Sequence, residues 1–239
     1  MNNNFQHIIA LIDRSGSMSG KEQDTIGGIN TMLNQLKNDK KENEEIFITI
    51  KLFDHQIITL IKNKKIDEVE NLKESDFIPR GQTALLDTLG FTIQEILSKK
   101  RTNVLFYNSC LIYVSTDGIE NASKSLTKND VKNLITEAKI EEIEVIYLGA
   151  NQDSFLQANE LGISKDATMN YDENPDTIQN AYRSVAKVAT RVRSDNSELS
   201  FTCDERQSSQ VQTPPLVTRQ LGLQLTRPPI ALRSYSSIN

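Results

Sequence analysis

The run from Ile8 to Ile12 contains no polar residue and ends in an acid, Asp13. A strand that is apolar on both faces has to be covered on both, which is the condition of a strand inside a parallel sheet with helices above and below. Few other folds accommodate it. The next pattern is helical: in "TIGGINTMLNQLKN", Ile26, Ile29, Leu33 and Leu36 recur at the spacing of one helix face. "IFITIKLF" (Ile46 to Phe53) alternates and reads as a half-buried strand. After the polar break "DHQ", "IITLI" (Ile57 to Ile61) reads as the second arm of a hairpin. "TALLDTLGFTIQEIL" is amphipathic, with Leu85, Leu86, Leu89, Ile93, Ile96 and Leu97 on its apolar face.

The theme then repeats. "CLIYVS" is a strand running toward Asp117, "TKNDVKNLITEAK" a helix capped by Thr or Asn, and "IEVIYLGA" another strand. "DSFLQANELGI" is a helix ended by Gly162, and "ATMNY" a short edge strand. The last helix, "NPDTIQNAYRSVAKVATRVR", has Asn174 as its cap and Pro175 in its first turn. Strands alternating with helices predict an α/β fold: a doubly wound, mainly parallel sheet, one antiparallel edge strand, and helices on both faces.

Composition sets the boundary of the domain. Lysines stop at Lys187, and prolines gather at Pro214, Pro215, Pro228 and Pro229. The folded domain is therefore expected over residues 1–193, with 194–239 a disordered tail. Two other readings of the tail are a partner-binding peptide anchored by Leu216, Leu221, Leu223 and Leu225, and an out-of-frame extension. The net charge of -5 argues against nucleic acid as the main partner, because phosphate binding needs a basic surface. No stretch is apolar for the length of a membrane span, and "MNNNFQ" lacks the basic start and apolar core of a signal peptide. Cys110 and Cys203 lie far apart without metal-ligand spacing, which suits a reducing compartment. The expectation is a cytoplasmic protein.

The loop after the first strand, "DRSGSMSGKE", invites two chemistries. A phosphate loop reads G-x-x-x-x-G-K-[ST]. Aligned on Gly20-Lys21, this chain places Ser15 where the first glycine belongs and Glu22 where the magnesium-binding hydroxyl belongs, and an acid there repels phosphate. A nucleophile elbow, G-x-S-x-G, fails because the central residue is Met18. The metal reading fares better. Asp13, Ser15 and Ser17 alternate, so an extended loop points them the same way. Loops at the carboxyl ends of parallel strands share one edge of the sheet. "PRGQTALLD" with Thr83 and "STDGIEN" with Asp117 should reach that edge too. Two carboxylates and three hydroxyls make a hard, all-oxygen set suited to Mg²⁺ or Mn²⁺. Asp87, Glu120 and Asn121 are rim or capping candidates, with Glu120 and Asn121 read as a helix start. Arg14 and Lys21 flank the site, either steering an acidic partner or simply solvated.

The set D-x-S-x-S … T … D resembles the metal-ion-dependent adhesion site of von Willebrand factor type A domains, over about Gln6 to Arg193. The loops "DRSGSM", "GQTALLD" and "TDGIENAS" and the strand "YLGAN" are similar to those of intracellular microbial members. The resemblance implies a non-enzymatic, metal-dependent protein-interaction module. Its Mg²⁺ (or Mn²⁺) would be held by Asp13, Ser15, Ser17, Thr83 and Asp117, and would bind an acidic side chain of a partner protein. In such domains the hydroxyls of Ser15, Ser17 and Thr83 would be direct ligands, with Asp13 and Asp117 acting through water. The alternatives are a nucleotide-handling enzyme and an adaptor subunit of a larger AAA+ machine.

Overall fold

The computed structural model describes residues 4–102, 107–150, 154–194 and 199–211. Twelve elements follow one another: β1 (Asn4–Asp13), α1 (Glu22–Asp39), β2 (Glu44–Phe53), β3 (Ile57–Lys65), α2 (Leu85–Arg101), β4 (Ser109–Thr116), α3 (Lys128–Ile140), β5 (Ile143–Gly149), α4 (Ser154–Glu160), β6 (Thr168–Asn170), α5 (Pro175–Arg193) and α6 (Cys203–Ser208). The strands form one six-stranded sheet in the order β3-β2-β1-β4-β5-β6. Every pairing is parallel except β2 with β3. The doubly wound sheet with one antiparallel edge strand is the architecture expected from the sequence.

The apolar run of β1 lies at the centre because it needs cover on both faces. From His7 to Asp13 every residue is buried. Alternate side chains serve two layers. Gln6 donates its amide to Ala189 O on α5 (2.8 Å) and accepts from Arg193 (2.9 Å), so the even positions face α5. The odd positions, His7 and Ile9, share a cavity with Glu95 and Ile96 of α2. α1 packs tightly on α5: a Cβ on Gly28 would meet the Tyr182 ring at 2.5 Å. Glycine at that position is what allows the approach.

From β1 the chain moves to β2 and β3 on one side. After α2 it returns to β4 on the other side. The sheet therefore reverses its winding between β1 and β4, and a crevice opens there at the carboxyl ends. Asp13 closes β1 and Thr116 closes β4, so both stand at this crevice.

The packed chain extends past the boundary expected at Arg193. Phe201 is 4% exposed, and its N–H bonds Asp166 O at 2.9 Å. Thr202 and Glu205 cap α6 reciprocally, and Arg191 holds Glu205 with two bonds of 2.8 and 2.9 Å. The guanidinium of Arg206 lies over the rings of Phe155 and Phe201 and donates to Lys165 O and Asp166 O (3.0 Å each). Residues 199–211 thus do not behave as a tail. One buried aromatic and a few charged clamps hold them, too little to register in composition. The tail anchors Leu216, Leu221, Leu223 and Leu225 lie outside the described residues. Among the described residues, no helix is long and apolar enough to cross a membrane.

Candidate metal centre

Two loops are bolted together before any site residue is considered. Gly16 N–H bonds Gly81 O (3.1 Å), and Arg80 N–H bonds Arg14 O (2.8 Å). The fully buried Asp54, just beyond β2, serves both. Its carboxylate pairs with Arg14 and Arg80 (3.0 Å each), and its carbonyl accepts from Ala84 N–H (2.9 Å). Gly81 (φ +69°) makes the turn that brings its loop in against His55. The third loop is tied to the second. Thr83 N–H donates to the Asn121 side chain (2.8 Å), and Thr83 O accepts from Asn121 and Ala122 N–H.

The five predicted oxygen-bearing residues meet in the space these loops enclose. The position a Cβ would take on Gly118 lies 2.8 Å from Thr83 Oγ1, 3.4 Å from Asp13 Oδ2 and 3.5 Å from Ser15 Oγ. Oxygens of the first two loops therefore crowd against Gly118 of the third, an approach that a side chain at 118 would obstruct. Ser15 Oγ and Ser17 Oγ are 3.0 Å apart, and Ser17 Oγ donates to Asp117 Oδ1 at 2.6 Å. Two oxygens bound at neighbouring corners of one Mg²⁺ octahedron stand about 3 Å apart, given metal–oxygen bonds near 2.1 Å. The serine pair already has that separation. Among the described residues no three His, Cys, Asp or Glu side chains cluster, so an ion here would depend on hydroxyls. That favours a hard cation over a soft one.

The carboxylates are prepared differently. Asp13 is fully buried, and burial pushes its pKa above the ordinary carboxylate value. Hydrogen bonds from Thr116 Oγ1 (2.5 Å) and Ser15 N–H (2.7 Å) oppose that shift, and the charge of Asp117 adds to it. Asp117 has a cation already: Lys21 Nζ sits 2.6 Å from its Oδ2 and 2.6 Å from Glu173 Oε1. Burial acts to lower the Lys21 pKa, but hydrogen bonds and charge from Asp117 and Glu173 outweigh it and raise the value.

Several neighbours have roles the sequence did not disclose. Lys21, expected to steer a partner or be solvated, stands at the N-cap of α1 and is an ion-pair partner of a site acid. Glu120 and Asn121 do not begin a helix, since α3 starts at Lys128. Instead Glu120 accepts the free N–H of Leu86 at the start of α2 (2.9 Å) and two N–H groups of its own loop. Asp87 receives N–H bonds from Lys124, Ser125 and Leu126, fixing the same loop. Thr83 does not cap α2; Ala84 holds that position without a side-chain bond, which leaves the threonine hydroxyl to the hollow. Arg14 is buried against Asp54 rather than solvated. The only advance signal for these roles was the clustering of polar residues after each strand.

No family model matches this sequence, and no curated protein matches it. Comparison of folds is informative. The vWF domain of the type V pili tip protein Mfa5 from Porphyromonas gingivalis superposes with a TM-score of 0.59 at 12% identity, over 83% of this chain and 99% of that one. The fold is that of a von Willebrand factor type A domain. Proximal thread matrix protein 1 from the mussel byssus gives 0.55 at 16% identity, over 78% of this chain and 46% of its own. The pilus adhesin SpaC from Lactobacillus rhamnosus GG gives 0.59 at 15%, over 80% and 30%. This chain thus spans about half the length of the matrix protein. That matrix protein is also known with a zinc-occupied MIDAS motif. At these identities the likeness carries the fold of this chain, and its chemistry rests on its own residues.

Proposed function

We propose that this chain is a metal-dependent protein-interaction module. It holds Mg²⁺ or Mn²⁺ at Asp13, Ser15, Ser17, Thr83 and Asp117, and takes an acidic side chain of a partner protein as a further ligand. The observation that carries the reading is the convergence of side-chain oxygens: those of Asp13, Ser15 and Thr83 beside Gly118, with Ser17 linking Ser15 to Asp117. Neutral hydroxyls leave a bound divalent cation electrophilic, so it attracts an incoming carboxylate. The zinc-occupied motif of the mussel protein and the adhesin nature of SpaC support the same reading. In this reading the module is non-enzymatic and cytoplasmic. The phosphate-binding reading is disfavoured by Lys21, whose ammonium is engaged by two carboxylates.

Isothermal titration of the chain with Mg²⁺ or Mn²⁺ tests the site. Binding should be lost in Asp13→Ala and in Thr83→Ala. Unchanged metal affinity in both variants refutes it. Pull-down from the native source, with and without EDTA, should then recover a partner only where metal is present.

A further inference from the structure

Away from the metal centre, the sheet leaves one part of its α2 face uncovered. α2 lies over β1 and reaches β2 only at its edge, through Lys51 with Thr92 and Glu95, while most of β3 is exposed. The result is a cavity of about 300 Å³ between the β2–β3 hairpin and the edge of α2. Its apolar surface comes from Ile9, Ile57 and Ile96. Its polar surface is unusual for a chain of net charge -5: Lys51, Lys62 and Lys99 all line it, against one acid, Glu95.

The charges do not cancel. Glu95 is shared between Lys51 (2.9 Å) and Lys99. Among the described residues Lys62 has no carboxylate within ion-pair distance, so the lining retains positive charge. Lys51 spends one further proton on Thr92 Oγ1 (3.2 Å), leaving a third N–H of its ammonium. The irregular register of β2 with β3 and the left-handed Asn63 (φ 46°) place Lys62 and Asn63 side by side in this lining.

A buried histidine completes it. His7 is 4% exposed and bonds Thr49 through Nε2 (2.9 Å), while Tyr107 packs on its ring at 4.7 Å. Its Nδ1 is buried and has no hydrogen-bond partner. An unpaired buried ring nitrogen costs free energy unless something meets it. Burial, with Lys99 and Lys51 adding to it, lowers its pKa to about 3, so His7 is neutral and the positive field comes from the lysines alone.

We infer that this cavity is a second binding site, separate from the metal centre, for a small organic monoanion whose carboxylate meets Lys51 and Lys62 and whose apolar body rests on Ile9, Ile57 and Ile96. The volume matches the lower end of ligand pockets, so the ligand is a small molecule and not a polymer segment. Apolar floor and cationic wall together select a carboxylate with a hydrocarbon body over a bare inorganic anion.

The test titrates the ¹⁵N-labelled full chain with benzoate, without added divalent ion, in parallel with benzamide and inorganic phosphate. Benzoate should produce saturable NMR shifts at Thr49, Thr59, Asn63 and the His7 ring. Benzamide and phosphate should bind roughly tenfold more weakly or not at all, each lacking one half of the recognition. Lys51→Met and the more exposed Lys62→Gln should each weaken benzoate about fivefold or more with the fold intact. Absence of saturable shifts at these residues with millimolar benzoate overturns the site. So does equal binding of benzoate and benzamide, or unchanged affinity in a folded Lys62→Gln. Because no metal is present, these outcomes are independent of the metal centre.

Discussion

Replacing Gly118 by alanine should abolish metal binding and leave the fold in place. The φ of Gly118 lies outside the left-handed region, so an alanine backbone is unstrained there. The new methyl carbon would stand 2.8 Å from Thr83 Oγ1, closer than real contacts allow, and 3.4–3.5 Å from Asp13 Oδ2 and Ser15 Oγ. The threonine hydroxyl has to turn away by a few tenths of an ångström or more. An off-rotamer side chain costs about 1 kcal/mol. For a domain of this size that is a fall of roughly 2–4 °C in melting temperature.

The effect on the ion is larger. The methyl fills the hollow between ligand oxygens and displaces one of them. Disturbing groups that merely orient ligands already costs about 10- to 100-fold in metal affinity, and displacing a ligand belongs at the upper end, about 2.7 kcal/mol. Titration calorimetry with Mn²⁺, run beside thermal melting, separates the two effects. Gly16→Ala serves as a control in the neighbouring loop, because its methyl would meet only Gly81 O at an ordinary 3.4 Å. A folded Gly118→Ala that binds Mn²⁺ as tightly as the wild type would refute the reasoning, since the ion could not then lie among these oxygens.

Other consequences are as open to measurement. Removing the ammonium that neutralises Asp117, in Lys21→Met, should strengthen Mg²⁺ binding by about 3- to 10-fold, less at high salt; weaker binding in titration calorimetry would contradict the assignment. In α1, Gly27 has nothing within 4 Å of a new Cβ whereas Gly28 meets the Tyr182 ring. Gly27→Ala should therefore stabilise by about 0.5–1 kcal/mol, and Gly28→Ala should destabilise by about 1–3 kcal/mol, both read from urea unfolding. His7 is depressed from 6.5 to about 3, chiefly by burial. The unfolded chain takes up a proton below pH 6.5 that the native chain refuses, so this stability is full above pH 6.5 and falls as pH drops toward 3, by at most about 1.4 kcal/mol per unit. His7→Phe should flatten the slope of unfolding free energy between pH 7.5 and 5.5, a window above the carboxylates; an unchanged slope would count against a buried neutral His7.

What could be read in advance follows the range of the interactions. β1 was legible because a wholly apolar strand has one kind of home. That Asp13, Ser15 and Ser17 lie together was legible because they alternate within five positions of the strand end. The approach of Thr83 and Asp117 was legible only through the strand-end loops and the motif, since the fold brings them across about seventy and a hundred residues. The ion pairs of Lys21 were not foreseen because its partners are remote: Asp117 and Glu173 belong to loops after β4 and β6. Glu120 was misread for the same reason, as its acceptor role depends on the first turn of α2 lying beside its loop. Residues 199–211 escaped notice because their anchoring is a handful of charge-assisted bonds around Phe201, not an apolar period.

The placement of the charges bears on how the proposed site would hold a cation and present it. Asp54 pins the first two loops without touching the hollow, and spends its charge on Arg14 and Arg80. Of the acids proposed for the site, Asp117 is paired with Lys21. A divalent ion at the proposed site would balance Asp13 and Asp117. Lys21 then keeps Glu173, whose carboxylate is 41% exposed and belongs to no ligand set. An approaching carboxylate meets an ion bound largely by neutral hydroxyls and no uncompensated negative charge around it. Without the ion, the same approach meets two buried acids against one shared ammonium, and Coulomb repulsion across a poorly solvated cleft opposes it. On the proposed function, dependence of partner binding on metal would follow from charge balance and would require no movement of the loops.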